Sequence, residues 1–128
     1  VTISSSGHKL TLVAEVAGNE QAREVGLMGV KKLRDDQGMV FLFPSLVQAS
    51  FYMKDTLIPL DIAFWDHSMN VTDILQMEPC NAGPCRLYTP ANYYHGSIEV
   101  NKGLLERAGI KTGATVKVAE RPQPSQSP

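Results

Sequence analysis

The chain has 128 residues, 12 Lys and Arg against 13 Asp and Glu for a formal net charge of −1, and 43% hydrophobic residues. That size fits one hydrophobic core burying roughly 65–70% of the unfolded surface, so two cysteines are not its only support. The near-neutral balance argues against sequence-independent binding to nucleic acid or anionic lipid, because both depend on summed positive charge.

No membrane span is expected: the uncharged stretch 37–53 is interrupted by Gly38 and Pro44 and is too short for the roughly 20 apolar residues a crossing helix needs. Val1 is not followed by a basic segment and an apolar run, so no signal peptide is expected within this sequence. Residues 10–16 alternate as a strand with Leu10, Leu12, Ala14 and Val16 on one face. Asn19 then suits the N-cap of a short helix with Glu20 in its first turn, Val25 facing inward and Gly26 just past its end. A polar turn over 33–37 precedes a short buried strand, 39–43, that Pro44 ends.

Residues 49–54 and 62–65 are β-rich, and Pro59 marks a connection between them. Residues 62–65 and 70–77 form a hairpin across a turn at 66–69. The segment 78–94, with three prolines and both cysteines, reads as an ordered surface loop. A strand follows at 97–100, with Asn101 capping a helix over 102–108, Gly109 in a left-handed C′ position and Ile110 packing back. A closing strand spans 115–119. The expected fold is mainly β, a β-rich α+β domain: a compact β-barrel-like unit over 1–120 with two short helices. Residues 121–128, with Pro122, Pro124 and Pro128, read as a disordered tail.

The blocks Gly26-Leu-Met28, 38–43 (Gly-Met-Val-Phe-Leu-Phe), 50–64 (from Ser50-Phe-Tyr-Met-Lys to Phe64), 77–80, Glu99-Val-Asn101 and 109–113 occur in one order. Together they resemble the bacterial and archaeal family catalogued as domain of unknown function 192. The resemblance spans about residues 10–119. It implies a compact β-barrel-like domain, frequently exported behind a signal or lipid anchor, with no established biochemical activity. The chain departs from the family pattern at Val30 (often Arg, here followed by Lys31 and Lys32), at Asp55 (usually Asn) and at Tyr52 (usually Trp). Lysine does not reproduce the bidentate guanidinium fork, so a role resting on that arginine is not carried over.

Lys54, Asp55, Asp61 and Asp66 fall within an otherwise apolar stretch, where each charge costs desolvation unless partnered. Lys54 and Asp61 either line a pocket, or Asp61 accepts backbone hydrogen bonds in the turn before it with Lys54 as its ion-pair partner. Tyr88, Tyr93, Tyr94, His95 and Asn92 cluster past the cysteines, where flat side chains with polar tips suit a sugar face or pin the loop. Cys80 and Cys85 read foremost as a disulfide, with free thiols and a soft metal as alternatives, and a disulfide implies an oxidising compartment. Zinc would need two further ligands that no second Cys pair or His-x₃-His spacing supplies. Met28, Met39, Met53, Met69 and Met77 lack a copper-site spacing, four of them lying in apolar segments as ordinary core fillers. His8, His67 and His95 are far apart, and no nucleophile motif is present. The leading expectation is therefore a non-enzymatic, exported (periplasmic or secreted) monomer. It binds a polar small molecule or cell-envelope saccharide through Lys54, Asp61, Glu78, Tyr93, Tyr94 and His95, with no cofactor, no metal and no nucleic acid. Two rivals stand beside it: a hydrolase or lyase using Asp61 and Glu78 as paired acid and base, and a protein-interaction module of an envelope complex.

Overall fold

Strand formation begins earlier than the hydrophobic pattern indicates. In the computed structural model, which describes residues 1–119, β1 (Thr2–Ser5) and β2 (His8–Thr11) form a hairpin. Its two turn residues, Ser6 and Gly7, have φ of 40° and 86°, the left-handed values a two-residue hairpin turn requires. The tail expected at 121–128 lies outside the described residues. The strand expected over 10–16 breaks at Leu12, which is 3% exposed between two sheets. There the chain changes partners: the Leu12 N–H donates to Val1 O and the Val13 N–H to Asp36 O. β3 (Val13–Ala17) therefore starts in a different sheet, and the anticipated face is lost, with Val16 exposed and Ala17 buried.

Helix α1 (Glu20–Val25) is capped as its sequence dictates, the Asn19 Oδ1 accepting the Ala22 N–H at 2.8 Å. Gly26, at φ 49°, ends it. Val25 is exposed rather than inward, because this short helix turns Ala22 and Arg23 toward the sheet instead. α1 carries the chain over to β4 (Gln37–Val47), which lies parallel to β3. β4 outruns the expected 39–43 and passes through Pro44. Its pairing with β7 (Tyr94–Asn101) covers Met39 to Leu42 and resumes only at Val47, so the proline occupies the gap in the ladder.

β5 (Leu60–Trp65) and β6 (Val71–Met77) form the anticipated hairpin, and the larger sheet runs β3-β4-β7-β5-β6. Residues 49–54, expected as β-rich, make only the isolated bridges Phe51↔Tyr88 and Lys54↔Cys80. After β7 the second helix, α2 (Leu104–Arg107), is shorter than expected and is not capped by Asn101. The Asn101 amide instead donates to Leu33 O and Asp35 Oδ1. Its C-terminus follows expectation: Gly109 at φ 75° lets its own N–H reach Glu106 O and the Ile110 N–H reach Leu105 O, a Schellman closure. β8 (Thr115–Lys117) joins β1 and β2 in a three-stranded sheet.

The fold is mainly β with two short helices, as expected, and its strands are shared between two sheets. One face of the larger sheet, including Val40, Ala63, Trp65, Ile98 and Val100, packs on Ile3, Leu12 and Val116 of the smaller sheet and on Leu105 and Ile110. Backbone hydrogen bonds between Val71 and both Gly113 and Ala114 tie the sheets together. Gly96 opposes Trp65 across β5 and β7, and a Cβ there would lie 2.6 Å from the indole ring, so only glycine leaves room for it. The other face, with Leu60, Ile62, Phe64, Met77 and Tyr94, is covered by connecting segments through Leu27, Met53 and Tyr88. A face roofed by loops rather than by a second sheet is where a cleft can open.

Candidate functional site

On that loop-covered face, β7 alternates Ser97 and Glu99 inward, against Phe41 and Met39 of β4 and Phe64 and Ile62 of β5. These are polar residues on the central strand of an apolar surface. Ser97 Oγ is fully buried, without a hydrogen-bond partner among the described residues. Glu99 is 5% exposed. Burial alone pushes its carboxyl from the usual 4.5 up to about 8, no charged or hydrogen-bonding neighbour contributing.

Glu99 forms part of a cleft of about 380 Å³ whose walls are α1 and the 49–56 segment. Phe43, Phe51 and Tyr52 supply aromatic surface, Thr56 a buried hydroxyl donating to Lys54 O at 3.3 Å, and Glu20 and Glu24 carboxylates from the helix. Arg23 also lines the cleft but is held to the wall: its Nη1 donates to Leu42 O at 2.7 Å and its guanidinium stacks 4.6 Å over the Phe43 ring. The turn after α1 is fastened to the opposite wall by the Gly29 N–H donating to Asp55 O at 2.9 Å. Asp55 adopts φ 56°, a left-handed conformation that Asp and Asn tolerate better than other side chains, so the change from the family's usual Asn keeps this backbone. Four of the blocks that carry the family resemblance thus meet at one cleft: Gly26-Leu-Met28, Phe43, the stretch from Ser50 to Thr56, and Glu99.

Among the described residues, the six singled out from the sequence fall on different parts of the fold. Asp61 is 2% exposed and lies on the opposite face of the sheet from Glu99, beside Val100. Its Oδ2 accepts the Gly103 N–H at 2.9 Å and the Leu105 N–H at 3.4 Å, supplying the first turn of α2 with the acceptor that its N-cap Gly103 lacks. Glu78 pairs with Lys102, which raises the ammonium pKa first through that hydrogen bond and then through charge, Asp61 adding to it. Lys54 is exposed and lines a separate groove with Tyr52, Asp55 and the Cys80–Cys85 loop. Tyr94 is fully buried, its hydroxyl donating to Ala49 O at 2.9 Å; burial pushes its pKa well above the usual phenol range, against a smaller lowering by Arg23. Tyr93 is exposed and His95 half-buried, at the end of β7 remote from Val100, the partner of Asp61.

Cys80 and Cys85 form a disulfide, closing a six-residue loop that contributes about 2 kcal/mol through chain entropy. Tyr88 is buried under this loop, paired with Phe51 and accepting the Glu78 N–H. The Asp73 carboxylate pins the following turn through Ala91 N–H and the Asn92 amide.

Nothing in the sequence alone marks Ser97 and Glu99 as site residues. The available signal was a glutamate in the apolar run Ser97-Ile-Glu-Val100, which alternation alone assigns to a solvent-facing side. Burial on both faces of β7 is what reverses that assignment.

The sequence profile of domain of unknown function 192, described as an uncharacterised ACR, matches residues 1–118. No curated protein matches the chain significantly. The chain is similar to a crystallised protein of unknown function from Novosphingobium aromaticivorans, at 32% identity and a TM-score of 0.82, covering 91% of this chain and 82% of that one. It is also similar to a structure described as a "putative transcription regulator" from Sinorhizobium meliloti, at 27% identity and a TM-score of 0.81, covering 89% of this chain and 87% of that one. Among the described residues no helix is long and apolar enough to cross a membrane.

Proposed function

We propose that this chain, which belongs to the family of domain of unknown function 192, binds a small polar molecule in the Glu99 cleft without converting it. The observation that carries this reading is the Glu99 carboxyl, on a side chain 5% exposed that lines the cleft and makes no hydrogen bond among the described residues. Burial disfavours its charged form, and a carboxyl so placed at a cleft gains a partner when a ligand arrives. Ser97 Oγ, buried on the same side of the strand, adds a second unfilled polar position. The two carboxylates weighed for catalysis, Asp61 and Glu78, already hold α2 and Lys102, which favours binding over acid–base chemistry.

The test is a titration of methyl-labelled protein with a fragment set of sugars, amides, carboxylates and amines. Shifts should centre on Leu27, Met28 and Thr56, with Val116 as the distant control. Ser50→Trp, which places an indole at the cleft wall, should remove them. Hits confined to the Lys54 groove or to Tyr93, or shifts that survive Ser50→Trp, would sink the proposal.

The Cys80–Cys85 disulfide supports placing the domain in an oxidising compartment, periplasmic or secreted. Protein taken from its native host without reductant should show no reactive thiol after denaturation. Two free thiols per chain would overturn this placement.

A further inference from the structure

We infer that the Glu99 cleft selects an organic cation, an ammonium group carried on a short apolar body. This rests on the reading that the cleft is a ligand site. Among the described residues the other buried or half-buried carboxylates each hold donors through at least one oxygen: Asp61 Oδ2 has the N–H groups of Gly103 and Leu105, Asp66 those of Ser68 and Asn70, and Asp73 has Ala91 and Asn92. Among the described residues Glu99 has none, and it stands at the cleft with Phe51 and Tyr52, aromatic rings of the kind whose faces attract a cation. The Phe43 ring already carries Arg23.

The charge of the lining points the same way. Three carboxyl groups, Glu20, Glu24 and Glu99, stand against the single guanidinium of Arg23, so the lining carries a formal −2 when Glu99 is ionised. An anion is repelled by that field, and a neutral polyol gains nothing from it. An ammonium supplies the counter-charge that the buried carboxyl lacks, while its apolar body replaces water against the aromatic walls.

Binding of such a cation is linked to release of the Glu99 proton. The titratable and charged groups facing the cleft are Glu20, Arg23 and Glu24 from α1 and Tyr52 from the 49–56 segment; Met39 and Ile62, which flank Glu99 on β4 and β5, carry no charge. Glu99 is therefore the group whose ionisation changes the cleft between mildly acidic and alkaline pH.

Choline, whose charge is permanent, is the probe, and the uncharged carbon isostere dimethylbutanol is its control. Both are followed by methyl resonances of Leu27, Met28 and Thr56. Choline affinity should rise about tenfold or more between pH 6 and pH 9 and exceed that of dimethylbutanol at pH 9 by a similar factor. Glu99→Gln should abolish the pH gain. Equal binding of dimethylbutanol overturns the cation assignment while leaving the cleft a ligand site. Choline binding that is unchanged in Glu99→Gln overturns it as well. If neither probe shifts a cleft methyl, the cation assignment falls, and the fragment titration decides the site independently.

Discussion

Raising the pH from 5 to 9 should cost the protein several kcal/mol of stability, and Glu99→Gln should remove most of that loss. Glu99 has its carboxyl raised by burial from 4.5 to about 8. Below pH 4.5 the proton is bound in both folded and unfolded chains, and Glu99 contributes no pH dependence. Between 4.5 and about 8 the unfolded chain gives up its proton while the folded one keeps it, so stability falls as pH rises. The slope is about 1.4 kcal/mol per pH unit, amounting to roughly 5 kcal/mol across the window and levelling off above it. Gln reproduces the shape and the donor capacity of the protonated side chain but does not titrate. Urea unfolding at successive pH values should show the two proteins close together at pH 5 and the variant more stable by about 4 kcal/mol near pH 8.5. Parallel curves would show that Glu99 ionises freely in the folded state, and the account of the cleft would lose its central observation. A side chain that costs the fold this much at neutral pH is the kind of local conflict that functional sites retain.

What could be read from the sequence was what local chemistry decides. Asn19 caps a helix because its own side chain reaches Ala22, and Gly109 ends one because only its backbone conformation is at stake. The β5–β6 hairpin and the Cys80–Cys85 pairing are equally local. The misread elements depend on partners far along the chain. Leu12 breaks a regular alternation because two sheets compete for it, and Pro44 is tolerated in β4 because the β7 ladder lapses there. Asn101 leaves its helix for Leu33 and Asp35, and an aspartate from another strand takes up the capping. The candidate site was obscured for the same reason. Ser97-Ile-Glu-Val100 has a half-exposed pattern, and its burial on both faces exists only once the smaller sheet packs on Ile98 and Val100 and the α1 and 49–56 segments close over the other side of β7. The charged residues that drew attention, Lys54, Asp61 and Glu78, stood out by composition, whereas Glu99 stands out only by what surrounds it.

Asp61→Ala should destabilise the domain by about 3 kcal/mol, whereas Asp61→Asn should cost about 1 kcal/mol or less. α2 is four residues long and is preceded at its N-cap by Gly103, a left-handed residue with no side chain to satisfy the first helical N–H groups. The Asp61 carboxylate reaches across from β5 and accepts from Gly103, part-buried, and Leu105, buried. Alanine leaves those donors without a partner and away from water, which costs more than the net worth of the bonds themselves. It also loosens the attachment of Leu104, Leu105 and Ile110 to the core between the two sheets. Asparagine keeps one carbonyl oxygen for the two N–H groups, and its amide nitrogen occupies the position of Oδ1, which has no partner among the described residues. Urea midpoints measure the two losses, and amide exchange locates them: in Asp61→Ala, Gly103 and Leu105 should lose protection before the β4–β7 ladder does. Because Asp61 faces away from the Glu99 cleft, Asp61→Asn should also leave the fragment shifts at Leu27, Met28 and Thr56 unchanged. An Asp61→Ala protein as stable as wild type would mean that α2 does not depend on this carboxylate. Loss of those shifts in Asp61→Asn would bring Asp61 back as part of the ligand site.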